Sequence, residues 1–180
     1  MNTFISIDRR IECRQVKTCQ LRKMPEGPEL HMGARFVNAV AKTKEFGGPI
    51  KKSAVSTKNP DVTFNVAKYD IRAEARGKEL KIYLTDKKKK TTTSTHLLIR
   101  FGMSGCFRLT RVQDLPKHAH LQFYTTDGQE VLSFVDYRRF GRWEVEGDWG
   151  KDRGPDAMTE TEVIPEEVML NKLYFFVYCA

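Results

Sequence analysis

Across its 180 residues the chain has no apolar run near the roughly 18 residues that a membrane-spanning helix needs. A helical membrane protein is therefore excluded, and the ending LYFFVYCA at residues 173–180 is too short to reverse that. Cysteine is scarce too. Cys13, Cys19, Cys106 and Cys179 lie far apart, with neither the paired spacing of a zinc site nor the density of a disulfide framework. They read as reduced thiols of an intracellular protein. Glycine and proline, 12 and 7 in number, nowhere gather into a long linker, and no internal repeat is visible. One domain with tails fits this length, whereas two full domains would be cramped. The last shortage is acidic charge: 23 Asp and Glu stand against 31 Lys and Arg, a formal net charge of +8. Such an excess favours a polyanionic partner, nucleic acid before an anionic membrane. What is present, 40% hydrophobic and 11% aromatic residues, suffices for a packed core and excludes wholesale disorder.

The charge is uneven along the chain. Residues 1–23 carry a net +4, residues 24–150 a net +7 and residues 151–180 a net −3. The first block lacks the apolar centre of a secretory signal, and Asp8 and Glu12 count against a transit peptide. It reads as a flexible basic extension. Lys87 to Lys90 with the following TTTST reads as a solvated loop between two strands.

After Pro25 and Pro28, Leu30, Ala34, Val37 and Ala41 recur at helical spacing, widened by Phe36 and Val40. Glu26 and Glu29 suit the positive end of that helix, and Gly47, Gly48 and Pro49 stop it. The period then changes to two. Tyr69, Ile71, Ala73 and Ala75 alternate with charged residues, and Leu80, Ile82 and Leu84 do so beyond Gly77. Further short runs stand at 97–101, 106–110, 120–126, 131–135 and 142–146, with a hairpin signal at Asp127-Gly128. The pattern predicts a mainly β (α+β) fold: an antiparallel two-sheet β-sandwich with one N-terminal amphipathic helix packed on it. His118 and His120 flank Ala119 at a strand start and share one face, but no third or fourth ligand accompanies them.

Five motifs then stand in order: MPEGPELH (24–31), ARGKEL (75–80), RFGMSG (100–105), LPKHAHLQFY (115–124) and FVDYRRFGRW (134–143). Together they resemble the formamidopyrimidine-DNA glycosylase and endonuclease VIII family of base-excision repair, nearest to its animal endonuclease VIII-like branch. The resemblance covers Met24 to about Pro155 and corresponds to the family's N-terminal catalytic domain. It implies a bifunctional DNA N-glycosylase and apurinic/apyrimidinic lyase acting on oxidised bases. A secondary amine at Pro25 attacks the sugar C1′, displaces the base and forms a Schiff base. Glu26 passes protons to and from the sugar oxygen. Lys78 meets the phosphate beside the lesion and assists β-elimination, and Glu29 supports the site from the same helix turn.

The resemblance also assigns DNA contacts. An extruded base leaves a hole that Met103, Arg138 and Phe140 fill, as an apolar wedge, a guanidinium and a ring. His118 contacts the backbone. By their own chemistry Arg139 and Arg142 read as neutralising phosphates, and His120 as a structural hydrogen-bonder. The implied partner is damaged double-stranded DNA, bound by a monomer in the nucleus, with no membrane, no metal and no cofactor. Two departures qualify this. Pro25 is acylated by Met24, and an amide nitrogen cannot form a Schiff base; residues 1–23 are thus expected to be an extension outside the working enzyme. Residues 156–180 follow no family pattern, so the helix–two-turn–helix motif and the finger, zinc-bearing or zincless, are expected to be missing, with weak DNA binding as the result.

Overall fold

The computed structural model describes residues 24–88 and 94–151, together with Asp156 and Met158. The basic extension at 1–23, the TTTST stretch at 91–95 up to Thr93, and the tail from 159 onward lie outside the described residues.

Helix α1 (Gly27–Thr43) forms where the 3.6-residue period predicts it. Pro28 occupies its first turn, where a missing N–H removes no helical bond. The Glu29 carboxylate accepts the backbone N–H of Glu26 at 3.0 Å, so the helix start is fixed from within. Leu30, Ala34, Phe36, Val37 and Val40 form the buried stripe.

Among the described residues nine strands follow, and they form two antiparallel sheets. In chain order they are β1 (Phe46–Pro49), β2 (Lys51–Lys52), β3 (Asn65–Arg76), β4 (Glu79–Asp86) and β5 (Ser94–Arg100), then β6 (Cys106–Arg111), β7 (Ala119–Tyr124), β8 (Glu130–Val135) and β9 (Arg142–Val145). One sheet runs β1-β3-β4-β5-β9 and the other β2-β7-β8-β6. The β3–β4 pairing sets Ile71 opposite Leu84, Ala73 opposite Ile82 and Ala75 opposite Leu80, so every apolar residue of the alternation faces the core. Phe101, Phe107 and Phe134 meet with ring centroids 5.5–5.8 Å apart and close the centre of that core.

Helix α1 reaches the first sheet through a particular side chain. β1 pairs with β3 only near its start, as far as Tyr69, which leaves the backbone of Ala73 without a strand neighbour on that side. Asn38 takes the place of one: its Nδ2 donates to the Ala73 carbonyl and its Oδ1 accepts the Ala73 N–H, both at 2.8 Å. An amide side chain thus continues the sheet ladder where the sheet ends.

Among the described residues the expected mainly β sandwich with one helix packed on it is the fold observed. Three short elements depart from the sequence reading. β1 was expected to be only a helix stop, because Gly-Gly-Pro breaks regular structure; β2 and a 3₁₀ turn at Val112–Asp114 were not expected either. The glycines of β1 are there for space. A Cβ on Gly47 would stand 2.1 Å from the Ala67 carbonyl oxygen, so only glycine lets β1 approach β3. Cys106 is disulfide-bonded, which departs from the reduced thiol expected at that position.

Candidate active site and nucleic-acid interface

Residues far apart in the sequence meet at the start of α1. Gly77, with φ at +53°, makes the tight turn from β3 to β4 and puts Lys78 at its tip. The turn lies against the helix start: a Cβ on Gly27 would stand 3.6 Å from the Gly77 carbonyl oxygen. Lys78 Nζ consequently reaches the Glu26 carboxylate, 2.8 Å from Oε1 and 2.6 Å from Oε2. Pro25 directly precedes Glu26 and is half-buried. Pro25, Glu26 and Lys78 therefore share one locality, and Glu29 braces it from below through its bond to the Glu26 N–H.

Two side chains absent from the sequence reading fasten this locality. The Asp156 carboxylate is buried; its Oδ2 accepts from His31 Nε2 at 2.9 Å and from the Gly77 N–H at 3.2 Å. Burial pushes its pKa up, but the Met158 N–H, His31 and the Gly77 N–H outweigh this and hold it below the usual aspartate range.

A second locality is built by two loops. Gly102 has φ at +64°, and a Cβ there would stand 2.7 Å from the Gly141 nitrogen and 2.7 Å from the Phe140 carbonyl carbon. The GMSG loop and the 137–141 loop thus touch backbone to backbone. Asp136, buried between them, joins both. Its Oδ1 accepts the Ser104 hydroxyl and the Arg138 N–H (3.2 Å), and its Oδ2 accepts the Gly141 N–H at 2.6 Å. Ser104 Oγ also accepts the Arg138 N–H at 3.0 Å. Out of this rigid base project Met103, 36% exposed, and Phe140, 54% exposed, with the Arg138 guanidinium 5.5 Å from the Phe140 ring centroid.

His118 lies beside the same loops, its ring centroid 5.2 Å from that of Tyr137. His120 is buried, and its Nε2 donates to the Asp136 carbonyl at 2.8 Å. Arg139 and Arg142 join Lys58 and Arg138 around a cavity of about 390 Å³. Pro25, Glu26 and Lys78 do not line that cavity, so the sequence-derived residues fall into two groups: a helix-start group and a loop group. Among the described residues no cluster of three or more His, Cys, Asp and Glu is arranged to hold a metal ion, and no helix is long and apolar enough to cross a membrane.

Asp136 and Asp156 were not legible as site residues. Asp136 follows an apolar strand, where an acid ordinarily marks the exit to solvent. Asp156 follows Gly154-Pro155, which reads as a stop. Only their three-dimensional partners reveal them.

Residues 24–143 match the formamidopyrimidine-DNA glycosylase N-terminal domain, and the chain belongs to that family of DNA-repair glycosylases. The likeness to individual members is strong. Endonuclease 8-like 1 of Homo sapiens is 45% identical over 152 residues, and that of Mus musculus 46% identical over 152 residues. Each alignment covers 82% of this chain and 39% of the relative, so the chain spans about two fifths of the length of these curated relatives. Among solved structures, Lactococcus lactis Fpg (MutM) in complex with DNA containing an oxidised pyrimidine superposes with a TM-score of 0.52 at 24% identity, covering 67% of this chain and 44% of that one. An inhibited LlFpg with DNA containing N7-benzyl-Fapy-dG gives 0.51 at 22% identity, over 67% and 43%. These two likenesses show a shared fold.

Proposed function

We propose that the chain carries the nucleophile-bearing half of a DNA glycosylase with lyase activity that removes oxidised bases from damaged duplex DNA. The observation that carries this reading is the contact between Lys78 and Glu26, 52 residues apart, immediately beside Pro25. A free Pro25 amine donates its lone pair to the sugar C1′, the bond to the base breaks, and a Schiff base forms. Glu26 delivers the proton that the opening sugar oxygen takes up, a role that typically contributes about 10²- to 10⁴-fold in rate. Lys78 holds the neighbouring phosphate for β-elimination. Glu29 keeps Glu26 oriented.

The loop group serves the same reaction. Met103, Phe140 and Arg138 occupy the gap left by the extruded base, with Met103 and Phe140 as apolar wedges and Arg138 bonding the orphaned partner. His118, Arg139 and Arg142 face the phosphates. Activity on genomic duplex implies a nuclear location.

A second reading has its own support. Pro25 as written is an amide to Met24, with no lone pair free for attack, which favours a catalytically silent DNA- or protein-binding form of the same fold. Borohydride trapping on lesion-containing duplex separates the two. The form beginning at Pro25 is expected to give a covalent adduct and the intact chain none. Equal adduct from the intact, unprocessed chain would end the proline mechanism. No adduct from either form leaves the silent reading standing.

A further inference from the structure

Asp156 is 5% exposed, yet one of its carboxylate oxygens is engaged by two groups far away in the sequence. Oδ2 meets His31 Nε2 at 2.9 Å across 125 positions and the Gly77 N–H at 3.2 Å across 79, while Oδ1 accepts the Met158 N–H at 2.9 Å. Its two distant partners sit on the two elements that carry the Glu26–Lys78 pair. His31 is on α1, little more than a turn beyond Glu26, and Gly77 is the residue before Lys78. A single buried carboxylate therefore spans the seam between helix start and turn.

The segment that directly follows β9 is fastened as well. After β9 the Glu146 N–H donates to the His96 carbonyl at 2.8 Å, and Gly147 packs on Leu98, where a Cβ would come within 2.9 Å of the Leu98 Cβ. Trp149 then lies under Lys81 Nζ, 4.9 Å from its ring centroid. The Gly150 N–H donates to Glu79 Oε2 at 3.0 Å, only two residues from Gly77. The segment after β9 thus crosses the outer face of the first sheet toward the β3–β4 turn.

The pair at the seam cannot hold itself. Lys78 and Glu26 are 50% and 38% exposed, and an exposed ion pair between long side chains restrains little. A buried carboxylate accepting several hydrogen bonds is a far stiffer tie. We infer that Asp156 is a positioning residue for the proposed catalytic pair, latching the Gly77–Lys78 turn against α1 so that Lys78 stays on Glu26. This rests on the proposed function of that pair, and the measurements are chosen to fail separately from it.

The full chain, Asp156→Ala and Asp156→Asn are compared by amide hydrogen exchange and by the nuclear Overhauser contact between the Lys78 and Glu26 side chains. Asp156→Ala is expected to speed exchange at Gly77 and Lys78 by about tenfold or more and to abolish the Lys78–Glu26 contact. Ile82 and Leu97, in the core strands, should stay within about twofold, which certifies an intact fold. Asp156→Asn, whose amide oxygen still accepts one bond, is expected to restore part of both signals. In the form with a free Pro25, strand scission at saturating duplex should fall about tenfold in Asp156→Ala with KM nearly unchanged. Gly77 exchange or a Lys78–Glu26 contact indifferent to Asp156 overturns the latch, as does unaltered scission in an active enzyme. Should the free-Pro25 form cleave nothing, the functional reading falls, and the exchange and contact signals alone decide the latch.

Discussion

Asp136 and Tyr69 are both buried polar side chains, and their surroundings give them opposite effects. Asp136 receives three hydrogen bonds from two loops, through the Ser104 hydroxyl and the Arg138 and Gly141 N–H groups. Tyr69 has a buried hydroxyl with no hydrogen-bond partner among the described residues, and burial drives its pKa well above that of an ordinary phenol. Removing a buried acceptor strands its donors, whereas removing an unpaired hydroxyl strands nothing. Denaturant unfolding should therefore separate them by sign: Asp136→Ala is expected to lose roughly 3 kcal/mol or more, and Tyr69→Phe to gain about 1 kcal/mol. Loss of stability in Tyr69→Phe would mean that the hydroxyl has an unseen partner. The same contrast explains what the sequence conceals at this scale. Glu26 and Lys78 could be named because their motifs are local, but nothing beside Asp136 or Asp156 in the chain distinguishes a buried acid from a solvated one.

Elements were legible wherever period and length agreed. The stripe from Leu30 to Val40 and the alternation of Tyr69 to Ala75 with Leu80 to Leu84 each describe one face against water, and each buries that face. β1 was illegible because glycine has no side chain to report a face; its strand is set by the approach of Ala67 rather than by hydrophobicity. The segment after β9 was illegible for another reason, since Gly147, Trp149 and Gly150 act through partners on β4 and β5. A pH test belongs to this element. A carboxyl whose folded pKa lies below its unfolded value, about 3.9 for Asp, stabilises fully above that value and loses its effect as pH falls through the folded pKa. Asp156 is such a group. Exchange at Gly77, corrected for its intrinsic pH dependence, should stay constant from about pH 7 to 5 and rise only below about pH 4. Asp156→Ala should erase that step, and a step near neutrality would assign it to another group.

At the scale of the whole molecule, residues 24–150 hold a net +7 of the total +8, and Lys58, Arg138, Arg139 and Arg142 gather around one cavity beside the exposed Met103 and Phe140. If that surface meets phosphates, affinity for duplex falls with salt, with a slope of about 0.9 per phosphate neutralised. Removing Arg139 and Arg142 together is expected to flatten the slope by roughly two, read by fluorescence anisotropy across a salt series. An unchanged slope takes both arginines off the DNA face. The glycine contact beneath this surface has a mechanical consequence. Because Gly102 meets Gly141 with no side chain between them, and Asp136 ties Ser104 to Arg138, the tips bearing Met103 and Phe140 cannot swing independently. Two separate loops would each surrender conformational freedom on meeting a ligand. Here that freedom is given up during folding, so the two tips approach any partner as one blade.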